Sequence, residues 1–234
     1  MSREIKLFLD PYDLGFDMYK KKTVSINPGV TVLVGCNGIG KTTFLKDIET
    51  KLKKEGIPLA YFDNLLEGGS NSRSERAFYG DFEFLATSLQ SSEGENIVLN
   101  LINLSKKLGE FIRTGHYKTR ENALANIFKQ VDDTKGETEE SNRSKERWIL
   151  FDAVDSGLSV DNIVDLKEGL FRTILENEKE KDVYIIVSAN EYEMANNESC
   201  FDVYHGEYAT FKDYDAYRDF ILKSREWKES REVE

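Results

Sequence analysis

Between Thr31 and Thr43 the chain reads TVLVGCNGIGKTT, the stretch whose residue types and spacing carry the most chemistry. A β-branched apolar run ends in Gly35, Asn37, Gly38, Gly40, Lys41 and Thr42 follow, and apolar periodicity from Thr43 through Leu45 and Ile48 predicts a helix. Strand, glycine-rich loop and helix start are the context that a phosphate-binding loop requires. Backbone N–H groups must come close to wrap a triphosphate, and Gly35, Gly38 and Gly40 give the chain that freedom. Lys41 is then placed for the β and γ phosphates and the Thr42 hydroxyl for Mg²⁺. The new helix, opening at Thr43, turns its positive end toward the anion. The motif by itself names neither the nucleotide nor the reaction.

Further candidates stand at the ends of apolar runs. Trp148 to Asp152 reads as a buried strand ending in a carboxylate, and in phosphate-loop enzymes such an acid orients Mg²⁺ or its water from the strand beside the loop. Leu59 to Asn64 (LAYFDN) is another strand, ending in Asp63 and Asn64, which either touch the γ-phosphate side, Mg²⁺ or an attacking water, or are turn residues. Val183 to Val187 is a third, ending in Ser188, Ala189 and Asn190. Ser91 to Glu95 (SSEGE) opens a helix with Ile97, Leu101, Leu104, Leu108 and Phe111 on one face. Ser92 and Glu95 make a capping box there, and a serine and a glycine at a helix start also make an anion site that can serve a phosphate held by another subunit. Tyr12, Phe16 and Tyr19 precede the loop; Tyr12 is the candidate to stack on an adenine ring, with aromatic packing the alternative.

The elements that must position these residues follow from the same pattern. Glu4 to Leu9 alternates and predicts an edge strand, and Thr23 to Ile26 a second that Asn27-Pro28-Gly29 turns into the phosphate-loop strand. Ile163, Leu166, Leu170 and Ile174 space a helix after Asp152. Phe201 to Phe211 reads as a hairpin turning at His205-Gly206-Glu207, and Tyr214, Tyr217, Phe220 and Ile221 mark the buried side of a closing helix. His116 and His205 stand too isolated to be ligands. Asp132 to Arg147 is charged and reads as a flexible loop, a short helix is expected around Glu121 to Val131, and residues 224–234 (SREWKESREVE) read as a solvated charged tail.

With 234 residues, 39% of them hydrophobic, the chain suits one α/β domain with a helical lobe over residues 80–131. No apolar run approaches a membrane span and MSREIK is no secretory signal, so a soluble, cytoplasmic protein is expected. Cys36 and Cys200 fit neither a disulfide framework nor a zinc cluster. The net charge of −11 argues against a strongly basic nucleic-acid surface; nucleic acid remains possible but unsupported.

In this order the phosphate loop GCNGIGKT, SSEGE, ILFDAVDSGLS and IIVSAN resemble the nucleotide-binding domain of ABC-type ATPases. Within that superfamily the chain is more similar to soluble SMC-like and repair ATPase heads, and to small ATP-binding proteins of phages and prophages, than to transporter subunits. The resemblance runs from about Glu4 to Phe211 and implies a P-loop fold with a mostly parallel central sheet, an N-terminal antiparallel β portion and ATP with Mg²⁺ as ligands. It implies that Ser92, Gly94 and Glu95 replace the signature LSGGQ and reach the γ-phosphate of a partner subunit in an ATP-dependent homodimer. It makes Asp152 the magnesium-associated acid, Ser156-Gly157-Leu158-Ser159 the loop that touches the partner, Asn64 a neighbour of the Mg²⁺-sensing glutamine position, and Asn190 the replacement of the switch histidine.

Ala153 departs from the family, which places a glutamate there to polarise the attacking water. A general base contributes about 10²–10⁴-fold, so its plain loss leaves a binder or a very slow hydrolase. Asp155 is the nearest carboxylate that could stand in. Three readings follow: an ATPase whose monomers pair head to tail, a non-catalytic ATP-dependent switch that recruits a protein partner, and a phosphate-loop kinase of small molecules. No long heptad arm interrupts the chain, so SMC-style DNA tethering is not indicated.

Overall fold

The structure, a computed structural model, describes residues 2–13, 15–63, 93–116, 144–155, 158–177 and 180–231. Three apolar runs that show little polar alternation become its central strands: β3 (Gly29–Val34), β5 (Glu146–Asp152) and β6 (Asp182–Ser188). Strands covered on both faces read as continuous apolar runs, and Val32, Leu33, Val34, Trp148, Ile149 and Leu150 are all fully buried. With β4 (Leu59–Asp63), β7 (Ser199–Asp202) and β8 (Glu207–Ala209) they form a six-stranded sheet in the order β4-β5-β6-β3-β7-β8. Every pairing is parallel except the β7–β8 hairpin. The expected α/β architecture with a mostly parallel sheet is therefore present. The order corrects one detail: β5 does not stand beside the phosphate-loop strand, because β6 lies between them.

Successive residues point to opposite faces, so each strand feeds two cores. On one face Leu33, Leu150 and Ile186 pack with Phe44, Leu45, Ile48 and Leu52 of α1 (Lys41–Lys54). The same face carries Ile5 and Ile26 of β1 (Arg3–Lys6) and β2 (Thr23–Ile26), a separate antiparallel pair. Trp148 and Tyr184, opposite each other on β5 and β6, stack there with centroids 4.0 Å apart. On the other face Val32, Val34, Phe151 and Val187 meet Leu108, Phe111 and Ile112 of α2 (Glu93–Thr114).

The helix after β5 also packs on that second face. It begins as α3 (Val160–Val164), widens into a π-helical segment over Asp165–Phe171 and ends as α4 (Arg172–Asn177). Ile163, Leu166, Leu170 and Ile174 are all buried, as their spacing predicts, and Phe171 joins them. A short α5 (Tyr192–Ala195) follows β6, and the chain closes in α6 (Tyr214–Arg231).

Four expectations need correction. The first strand ends at Lys6 instead of Leu9, because the Phe8 N–H leaves the sheet to donate to Asp47 Oδ2 on α1 at 3.0 Å. Tyr214 is 56% exposed, and Tyr217 provides the buried aromatic contact of α6. The charged loop does not run to Arg147: β5 starts at Glu146, and Arg147 is fully buried with its Nε donating to the Ile112 carbonyl at 2.7 Å. Residues 224–231 are no solvated tail either, since they complete α6 with Ser224 and Arg231 buried. The helix expected around Glu121 to Val131 and the rest of the helical lobe outside α2 lie beyond the described residues, as do residues 132–143.

Candidate functional site: a phosphate-loop pocket

The site forms where β3, β5 and β6 end. After Val34 the chain turns through Gly35, Gly38 and Gly40, all with positive φ. At Gly40, φ is 115° and a Cβ would stand 2.9 Å from Met18 Cε and 3.2 Å from the Tyr19 ring. Only glycine meets both demands without strain. The Gly40 carbonyl accepts from the Tyr19 hydroxyl at 3.0 Å, and burial pushes that hydroxyl's pKa far above its ordinary value.

Lys41 opens α1 beneath the loop and is 9% exposed. Its ammonium folds back on the loop, donating to the Gly35 carbonyl at 2.7 Å and the Cys36 carbonyl at 3.4 Å. Burial lowers the Lys41 pKa, while Cys36, Asp155 and Asp152 act in the opposite direction. A cation held dry beside free N–H groups at a helix start is an anion site.

Opposite it lies Asp152, the last residue of β5. Its Oδ1 accepts from Thr42 Oγ1 at 3.2 Å and from Ser188 Oγ at 2.5 Å, and its Oδ2 accepts from the Tyr61 hydroxyl at 3.3 Å. Ser188 Oγ accepts in turn from the Ala153 N–H at 2.8 Å. Ser188, the last residue of the strand that separates β3 from β5, thus holds the carboxylate on the side of Thr42. A hydroxyl and a carboxylate are hard oxygen donors suited to Mg²⁺, which keeps several waters and takes the rest of its shell from phosphates. The residues present fit that ion. Among the described residues no group of three His, Cys, Asp or Glu could hold a metal ion without phosphate or water.

After Asp152 the chain passes through Ala153 and, two positions further on, Asp155. Ala153 has φ of 52°, a left-handed conformation uncommon for a residue with a Cβ. Asp155 is 1% exposed, and its Oδ2 accepts from the Asn190 N–H at 2.6 Å and the Glu191 N–H at 2.7 Å. It clamps the turn after β6 and is not among the residues lining the pocket. Two backbone donors hold its Oδ2, while its Oδ1, also buried, has no hydrogen-bond partner; this supports a positioning role for Asp155 beside the stand-in base expected there.

The pocket has a volume of about 420 Å³. Asn37, Gly38, Gly40, Lys41, Thr42 and Thr43 line its floor, and Asp152, Ala153, Ser188 and Asn190 line one wall. Tyr12, Phe16 and Met18 line the other side, with Arg231. Tyr12 is 56% exposed, and its hydroxyl lies 3.1 Å from Thr43 Oγ1. That contact ties its ring to the first turn of α1 beside the pocket. Asn190 lines the pocket, and Asp155 and the Tyr217 hydroxyl hold its backbone.

On α1, Asp47 is buried and burial raises its pKa despite the Phe8 N–H. A raised carboxyl pKa favours the folded state most below the unfolded value of about 3.9 and less as pH rises through the folded pKa. Asp47→Asn is therefore expected to raise Tm at pH 7 by about 2–4 °C, or about 1 kcal/mol. Thermal melts at pH 7 and pH 4 check this, because the gain shrinks in acid.

Of the remaining expected site residues, Ser92, Asn64, Ser156 and Gly157 lie outside the described residues. Gly94 and Glu95 fall in the first turn of α2, Leu158 is packed partly buried on the core, and Ser159 immediately precedes α3. The site also takes in Tyr61 and Arg231, which the motifs do not mark. Tyr61 reaches Asp152 only through the β4–β5 register, which no local motif announces.

No family model matches the chain, and no curated protein matches it. Solved structures do. One is an ATP-binding cassette of an ABC transporter in its ADP conformation, 14% identical over 96% of this chain and 98% of that one, with a TM-score of 0.43. A nucleotide-free ATP-binding cassette from an ABC transporter is 14% identical over 96% and 99%, with a TM-score of 0.45. A third is cbiO1 of Clostridium perfringens, part of the ABC transporter complex cbiONQ, 17% identical over 96% and 92% with a TM-score of 0.43. Likenesses this distant carry no argument, and the functional reading rests on the site.

Proposed function

We propose that the chain is an ATP-binding protein of the ABC-ATPase class that takes ATP with Mg²⁺ and closes on it as a head-to-tail homodimer, with slow hydrolysis reopening the pair. The observation that carries this reading is the Thr42 hydroxyl 3.2 Å from the Asp152 carboxylate, beside the buried Lys41 in a loop of three positive-φ glycines. Lys41 and the loop N–H groups would bind the β and γ phosphates, and Thr42 and Asp152 would hold the metal. Bound there, Mg²⁺ supplies charge neutralisation across the phosphates. Tyr12 would cover the base, and Ser92, Gly94 and Glu95 of a second copy would complete the γ-phosphate side. Binding then favours the closed dimer by its differential affinity for that state.

A second reading has its own support. Ala153 cannot take a proton, and Asp155 is committed to the β6 turn. That favours an ATP-dependent switch that pairs and recruits a protein partner with little or no turnover. A kinase of small molecules would leave the loop after Asp152 without a role.

Size-exclusion chromatography with light scattering, with and without ATP and Mg²⁺, sampling phosphate from the same fractions, separates these. A nucleotide-dependent dimer that releases phosphate supports the slow ATPase, and a dimer without phosphate supports the switch. A chain that stays monomeric with saturating ATP overturns the shared-site reading.

A further inference from the structure

We infer that the last two turns of α6 are a wall of the nucleotide site, with Arg231 and Lys228 supplying positive charge that the phosphates of the bound nucleotide compensate. The inference rests on the ATP-binding reading above and assigns that site two residues its motifs do not contain.

Three polar side chains carry it. Ser224, Lys228 and Arg231 are spaced i, i+4 and i+7, so they share one helix face. That face lies along the phosphate loop. Ser224 Oγ accepts from the Cys36 N–H at 2.8 Å, and Arg231 donates to the Gly38 carbonyl at 3.0 Å and the Ile39 carbonyl at 3.1 Å. Between them, Lys228 Nζ lies 2.9 Å from the point where a Cβ on Gly38 would stand. Trp227, stacked on Tyr204 at 5.9 Å, fixes the helix against the β7–β8 turn, so the face is held in register.

The charge on this face is unbalanced. Arg231 is 7% exposed and lines the pocket, and its third contact, at 2.9 Å, is the Met18 carbonyl. Its Nε is buried without a hydrogen bond, and among the described residues no carboxylate lies within ion-pair distance of it. Lys228 is half-buried and likewise has no ion pair among the described residues. Buried cations are normally paired, because desolvation of an unpaired charge is costly. Three carbonyls and the Phe16 ring, 5.6 Å from the guanidinium, orient Arg231 but do not neutralise it, and Arg231 lines the pocket. A nucleotide polyphosphate brings several negative charges to that loop.

In this arrangement Arg231 is a positioning residue that tightens the loop from its carbonyl side, and Lys228 reaches over Gly38 to the phosphate chain. The charged sequence at the end of the helix is then functional surface.

Calorimetric titration of the full chain with ATP and with AMP in Mg²⁺, together with nucleotide-free melts, tests this. Lys228→Met is expected to weaken ATP binding about tenfold and AMP binding less, to leave the nucleotide-free Tm unchanged, and to flatten the salt dependence of ATP affinity. Lys228→Arg should retain affinity, and Lys223→Met, one residue outside the face, should behave as wild type. Arg231→Lys, which keeps the charge and loses the fork, should weaken ATP binding while the protein stays folded. Wild-type affinity in both Lys228→Met and Arg231→Lys overturns the inference alone. A folded wild type that binds no ATP removes it together with the reading beneath it.

Discussion

Lys41→Ala is expected to weaken ATP binding by about 100-fold or more while leaving the nucleotide-free protein as stable as the wild type, or more stable. The two effects have one cause. Lys41 is buried with only carbonyl partners from the loop, and burial holds its pKa below the ordinary lysine value. A lysine whose folded pKa is depressed disfavours folding at every pH where the unfolded chain carries the proton, that is, below about 10.4. Removing it therefore relieves the fold at neutral pH. With ATP bound, the same ammonium would make charge-assisted hydrogen bonds to phosphate, each worth about 1.5–3 kcal/mol, and their loss would account for the fall in affinity. Titration calorimetry and melting of the same preparation check both parts. A variant that binds ATP as well as wild type would remove Lys41 from the phosphates.

Asp155→Ala is expected to be the most destabilising change near the site that alters no core side chain. Two N–H groups, of Asn190 and Glu191, would lose a charged acceptor in a buried turn. At about 1.5–3 kcal/mol for each bond to a charged group, the loss is about 3–6 kcal/mol, or about 10 °C or more in Tm for a chain of this size. Because the turn carries Asn190 into the pocket, ATP affinity should fall with it. Asp155→Asn separates positioning from proton transfer. It keeps one acceptor oxygen, so a milder Tm loss with any ATP turnover unchanged per bound nucleotide is expected. Abolished turnover with intact ATP binding and intact stability would instead make Asp155 the base.

Much of this site is legible in the amino-acid sequence, for a physical reason. β3, β5 and β6 are buried on both faces, so their sequences are largely apolar runs, and they stop at Gly35, Asp152 and Ser188, where the pocket begins. Glycines at 35, 38 and 40 announce backbone that side chains cannot follow. Less visible are contacts made by register. Tyr61 meets Asp152 because Phe62 pairs with Phe151, and Ser188 meets it because Phe151 pairs with Val187.

Least visible is the end of α6. Its polar face, Ser224, Lys228 and Arg231, looks solvated because charged residues surround it, yet it lies on backbone carbonyls and N–H groups that have no sequence signature. The role of Asp155 is hidden similarly, since its partners are main-chain groups more than thirty positions away. The π-helical widening at Asp165–Phe171 also leaves no mark on a periodicity that reads as plain helix.

Titration calorimetry of the purified chain with ATP, in Mg²⁺ and then in EDTA, shows whether this pocket holds a nucleoside triphosphate with its metal. Saturable binding at one site per chain that weakens at least tenfold without Mg²⁺ is expected, as a ligand shared between Lys41 and the Thr42–Asp152 pair requires. A folded chain that shows no saturable heat with millimolar ATP, or equal affinity with and without the metal, would contradict it.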